Sequence, residues 1–144
     1  LIGGKVLFNR KDPTDKDYRN TCAIRLSYAL NRSGCPIPYL DGLVSSGAEK
    51  MWYIYSVKAF DAYLRHNKKF GTPETFNPKT WKSEINFDPK TGVPKVRKGI
   101  IEFKVPNVWP DATGHFTLFD GSNPIGEDYS DIATQIDFWP LPPN

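Results

Sequence analysis

Two side chains in this sequence could cut an amide bond together, Cys22 and His115. Asn20 is a good helix N-cap, and Cys22, Leu26, Ala29 and Leu30 recur at helical spacing, so Cys22 falls in the first turn of a helix. There the helix dipole and the outward-pointing amides favour thiolate over thiol, and a thiolate is the species that attacks an amide carbonyl. A small buried thiol is the common alternative fate of a free cysteine. His115 opens Gly114-His115-Phe116-Thr117-Leu118-Phe119-Asp120-Gly121, which reads as a strand. A thiol on a helix and an imidazole on a following strand can meet across a helix–sheet contact, the Cys-His logic of thiol proteases. A strand histidine bonded to a backbone carbonyl is the bland alternative. A third residue should hold the imidazole. Asp120 lies on the opposite face of the strand from His115 by parity. Asp128 and Asp131 lie beyond the Gly121-Ser122-Asn123-Pro124 turn, where the chain can return beside His115, and either can accept an imidazole N–H; turn carboxylates are the ordinary role for both.

The remaining candidates are weaker. Cys35 is separated from Cys22 by nearly the whole helix, which at about 1.5 Å per residue puts the pair well beyond the roughly 7 Å bridging limit. A disulfide is therefore disfavoured and Cys35 reads as structural. His66, between Arg65 and Asn67-Lys68-Lys69, reads as a solvated helix end. With two cysteines, two histidines and no CxxC, no zinc site is expected.

The elements that must position these residues follow in order. Residues 1–19 read as loop, with Gly3-Gly4 and Lys11-Asp12-Pro13 as turn chemistry. The first helix closes at Gly34, before Pro36. After a Pro/Ser/Gly-rich loop, Met51 to Tyr55 is a short aromatic strand, and Ser56 caps a helix with Val57, Phe60 and Leu64 on one face, ended by Gly71 and Pro73. Residues 72–97 read as a long surface excursion of the kind that is often functional. Strands are expected from Gly99 to Val105, Gly114 to Asp120, and Ile132 to Leu141, the last stopped by Pro140, Pro142 and Pro143. Helix first, then mostly antiparallel sheet, makes an α+β domain spanning 1–144.

Composition narrows the function classes. At 144 residues, with 39% hydrophobic and 14% aromatic residues, one globular domain with its own core is expected. A net charge of +3 from 19 basic and 16 acidic side chains is too mild for a nucleic-acid footprint, though it suits an anionic polymer. No apolar run approaches the roughly 20 residues of a membrane span. The start at Leu1 does not resemble a signal peptide, and the missing Met suggests that residues precede it.

Several segments together resemble a known family. They are Ile2-Gly3-Gly4-Lys5-Val6, Asn20 to Asn31 around Cys22, Trp52-Tyr53-Ile54-Tyr55 with its helix, Lys98-Gly99-Ile100-Ile101, Gly114 to Gly121 around His115, and Ile136 to Pro142. In this order, over nearly the whole chain, they resemble the type VI secretion amidase effectors of the fourth family, a branch of the papain-like (NlpC/P60-type) cell-wall hydrolases. The resemblance implies a papain-like fold with the nucleophile helix packed on an antiparallel sheet. It also implies Cys22 as nucleophile, His115 as general base, and an orienting Asp just past the strand and turn after the histidine. Spacing favours Asp128, and Tyr129-Ser130-Asp131 keeps Asp131 open; the cysteines that surround this Asp in the family are missing here. The implied reaction is hydrolysis of the peptidoglycan stem peptide between γ-D-glutamate and meso-diaminopimelate, with no cofactor, in the periplasm of target cells. The backbone N–H of Cys22, at a helix start, is a candidate oxyanion donor. A secreted toxin of this kind implies a cognate immunity protein. Other readings are a housekeeping or phage-derived wall peptidase, a wall-binding module that lost activity, and a fragment of a larger secreted protein; retention of both Cys22 and His115 speaks against the binding module.

Overall fold

The computed structural model describes residues 21–40, 42, 44–46, 51–54, 56–105 and 114–142. The expected loop over 1–19 and the Asn20 cap lie outside the described residues. The chain divides into two compact units, Leu1–Tyr63 and Leu64–Asn144, and each is described by itself.

In the first unit, α1 (Thr21–Arg32) carries the expected apolar stripe. Cys22, Ala23, Ile24, Leu26 and Leu30 are buried, whereas Arg25 and Arg32 face water. The helix stops where glycine permits it: Gly34 has φ of +88°, and the Cys35 N–H donates to the Leu30 carbonyl at 3.1 Å, the longer bond of a Schellman turn. Two polar side chains fasten α1 to the chain beyond it. The Ser27 hydroxyl donates to the Ala23 carbonyl at 2.8 Å and accepts the Ile54 N–H at 2.9 Å. The Asn31 amide donates to the Trp52 carbonyl and accepts the Ile37 N–H, both at 2.7 Å. Their target is a two-stranded antiparallel ribbon, β1 (Val44–Ser46) with β2 (Trp52–Ile54). The sequence shows β2 by its aromatic residues; β1, Val-Ser-Ser, lies in a stretch expected to be loop and is too short to show an alternation. Ser56 caps α2 (Val57–His66) as expected, its hydroxyl oxygen accepting the Ala59 N–H at 3.1 Å. The last turn of α2 belongs to the second unit.

The second unit is a four-stranded antiparallel sheet of β3 (Glu74–Phe76), β4 (Lys98–Lys104), β5 (Gly114–Phe119) and β6 (Gln135–Leu141), in the order β3-β6-β4-β5. One face holds Ile101, Phe103, Phe119, Ile136 and Phe138, packed with Trp81 and Ile85. Trp81 begins a single helical turn, α3 (Trp81–Glu84), which Ile85 closes.

The stretch 72–97 therefore corrects an expectation. It is not only a surface excursion, because it supplies β3 and two core side chains. Its far end is fastened by Arg97, whose guanidinium makes two bonds of 2.6 and 2.9 Å to the Glu74 carboxylate and also donates to the Ile85 carbonyl. Such a fork matches a carboxylate in plane and charge. β6 also begins later than expected, at Gln135, because residues 129–133 form a turn in which the Ile132 and Ala133 amides bond to the Tyr129 carbonyl. Nor does Pro140 stop it: β3 begins only opposite Phe138, with Glu74, so Pro140 sits where one side of β6 is an edge, the place where a sheet tolerates proline.

On the opposite face of this sheet, Glu102 and Asp137 are cross-strand neighbours and both fully buried. Two like charges at that spacing repel. Cations offset them, with Lys104 3.6 Å from Glu102 and 3.8 Å from Asp137, and Arg65 bonded directly to Asp137.

Candidate active site

Cys22 lies in the first turn of α1 and is 6% exposed. Cys22 and Cys35 are both thiols, as the length of helix between them requires. Cys35 sits just past the helix end and is half-buried. His66 is the exposed last residue of α2, the solvated end expected of it.

His115 is the second residue of β5 and faces Phe103 across the β4–β5 ladder. By strand parity it shares the face of Thr117 and Phe119, the aromatic core side, as its spacing from Phe116 and Leu118 predicts. Its imidazole is half-buried and meets the Tyr129 ring edge-on, with centroids 4.9 Å apart and 72° between the planes. Tyr129 reaches it because the chain after β5 doubles back. The Ile125 N–H donates to the Leu118 carbonyl at 2.7 Å, the Thr117 hydroxyl donates to the Ile125 carbonyl, and Pro124 bridges to Phe119.

The return of the chain beside His115 is thus as the Gly121–Pro124 turn predicts, and Tyr129, between the two acidic candidates, is the residue seen against the ring. No sequence motif singled it out; an aromatic flanked by Asp128 and Asp131 beyond a tight turn was the available sign. The Asp128 carboxylate accepts the Ser130 N–H at 2.9 Å and pairs with Lys82 at 3.3 Å. Partial burial raises its pKa, but the Ser130 hydroxyl and amide and the Lys82 ammonium outweigh that and hold the group below the ordinary carboxylate value. Asp131 is exposed in the turn that follows. Asp120, set aside on parity, caps its own turn, accepting the Ser122 and Asn123 amides at 2.8 Å each, and these amides lower its pKa.

Comparison with known proteins gives a consistent picture. Residues 18–139 match the family described as type VI secretion system (T6SS), amidase effector protein 4, or Tae4. Among solved structures, the chain is similar to the effector–immunity complex Tae4–Tai4 from Salmonella Typhimurium, with 32% identity, a TM-score of 0.67, and coverage of 98% of this chain and 84% of that one. The corresponding complex from Enterobacter cloacae gives 28% identity and a TM-score of 0.68 over the same shares. The Enterobacter cloacae effector solved alone gives 29% identity and a TM-score of 0.70 over 98% and 82%. A search of curated proteins finds no match.

Proposed function

The chain belongs to the type VI secretion amidase effector 4 family, secreted antibacterial amidases of peptidoglycan with a papain-like α+β fold, and from that premise we propose that it hydrolyses the γ-D-glutamyl–meso-diaminopimelate bond through Cys22 and His115. The observation that carries this reading is the position of Cys22, a thiol in the first turn of a helix inside the matched region, where the helix N-terminus favours the thiolate.

In the proposed mechanism His115 takes the Cys22 proton, and the sulfur attacks the γ-glutamyl carbonyl carbon. The developing oxyanion would take a hydrogen bond from the Cys22 backbone N–H. As the carbon–nitrogen bond breaks, the imidazolium protonates the amine of diaminopimelate, leaving a thioester on Cys22. Water then attacks the thioester with His115 again as base, which frees the glutamyl carboxylate and restores the thiol. A carboxylate from the 121–131 segment, Asp128 or Asp131, would accept the other imidazole N–H and hold the tautomer. All these groups are taken as acting within one amidase domain.

The solved relatives that carry Tai4 support a cognate immunity protein as partner. The proposed place of action is the periplasm of the target cell. Digestion of purified meso-diaminopimelate peptidoglycan by the wild type and by Cys22→Ala, read by mass spectrometry, tests the reaction. New γ-glutamyl ends made by the wild type alone are expected. A wall left intact by the wild type, or cut equally by Cys22→Ala, would refute the assignment.

A further inference from the structure

Tyr129 stands where the turn after β5 comes back to the sheet, in edge-on contact with His115 at 4.9 Å between ring centroids. Its position is held from several sides. Its ring meets Phe103 at 6.2 Å and 80°, and Phe103 is the cross-strand partner of His115. Its hydroxyl donates to the Glu127 carboxylate. Its carbonyl accepts the Ile132 and Ala133 amides at 3.1 and 3.0 Å, which fixes the backbone beneath the ring. Tyr129, Phe103 and His115 thus form a chain of aromatic contacts anchored in the core of the second unit.

A histidine that moves protons must present a particular nitrogen in a particular direction, because its two ring nitrogens are chemically distinct. Its outer torsion, between tetrahedral and planar carbon, has broad wells and does not set that direction unaided. We propose that Tyr129 is a positioning residue, its ring setting the plane of the His115 imidazole for proton transfer. The proposal rests on the reading of His115 as general base. Tyr129 acts through His115 and is given no contact with substrate. The ring is held by Phe103 and by the backbone bonds beneath it without need of the hydroxyl, so the ring itself carries the effect.

The test uses the full chain with Tyr129→Phe, Tyr129→Leu and His115→Ala. Alkylation of Cys22 by iodoacetamide is followed against pH by peptide-resolved mass spectrometry, which separates it from Cys35, and kcat and KM are measured beside it. An aligned imidazole sustains reactive thiolate well below the ordinary thiol pKa of about 8.5. Tyr129→Phe is expected to keep both low-pH alkylation and kcat within about threefold of wild type. Tyr129→Leu is expected to lose about 10- to 100-fold in each, the scale of a misplaced catalytic group, with KM and alkylation above about pH 9.5 unchanged. If Tyr129→Leu loses its near-ultraviolet circular dichroism, Tyr129→Met, which fills the space with a flexible chain, is judged by the same numbers. Low-pH alkylation in the Leu or Met variant equal to wild type overturns the role of Tyr129 and leaves the base reading standing. A His115→Ala profile identical to wild type overturns the base reading, and this proposal with it.

Discussion

At Asp128 two tendencies compete, and the outcome sets a pH dependence. Burial disfavours the charged form, but Ser130 and Lys82 favour it more strongly, so the folded-state pKa is depressed. A carboxylate with a depressed pKa contributes stability above its unfolded value, and that contribution is lost as pH falls through the folded value. The unfolding midpoint of wild type should therefore exceed that of Asp128→Asn near neutrality and converge with it below about pH 4, which thermal melts at a series of pH values will check. On activity, Asp128→Asn should lower kcat by about 10²- to 10⁴-fold if this carboxylate holds the imidazole tautomer, with Asp131→Asn within about threefold of wild type. A larger loss in Asp131→Asn transfers the role to that residue. Parity along Gly114–Phe119 was enough to put His115 on the face away from Phe116 and to set Asp120 aside. Tyr129 was not legible in that way, because its contact with His115 depends on how the chain reverses after Gly121, and a turn's path is not encoded in strand alternation.

Helices and strands were legible where their period runs long enough to repeat. α1 shows Cys22, Leu26 and Leu30 on one stripe with a glycine stop, and the seven residues of β4 are long enough to put Ile101 and Phe103 together on one face. Three-residue β1 and β3 contain no full repeat, so propensity alone had to identify them, and around them Pro, Ser and Gly spoke for loop. Within 72–97 the one-turn spacing of Trp81 and Ile85 was a usable sign, masked by the polar residues on either side. Trp81 is 2% exposed and in edge-on contact with Phe103 and Phe119. Trp81→Ala should cost about 3–5 kcal/mol of stability, measured by denaturant unfolding; a cost below about 1 kcal/mol would mean that the expected surface reading was right after all. At the other end of the size scale, Ser56→Ala should cost about 1 kcal/mol, since it removes the oxygen that receives the Ala59 N–H. Gly99 permits less: a Cβ there would press into the Trp139 carbonyl oxygen and come within 2.6 Å of the Phe138 ring, so any side chain must displace β6.

For the molecule as a whole, the α+β class was legible from the order of its elements, and membership in the effector family from segments spread along the chain. Directed to the periplasm of a susceptible bacterium, the wild type should cause lysis and Cys22→Ala should not; equal toxicity of the two would mean that harm comes from something other than amide hydrolysis. The fastening of 72–97 has a practical side. Glu74, Arg97 and the Ile85 carbonyl close the base of the excursion, while Lys90 and Thr91 at its tip are exposed. Lengthening a surface loop costs only about 0.6 kcal/mol per doubling. The tip is accordingly a mounting point, where an epitope or a fluorogenic peptide can be spliced in and a toxin followed from the cell that fires it to the wall it reaches.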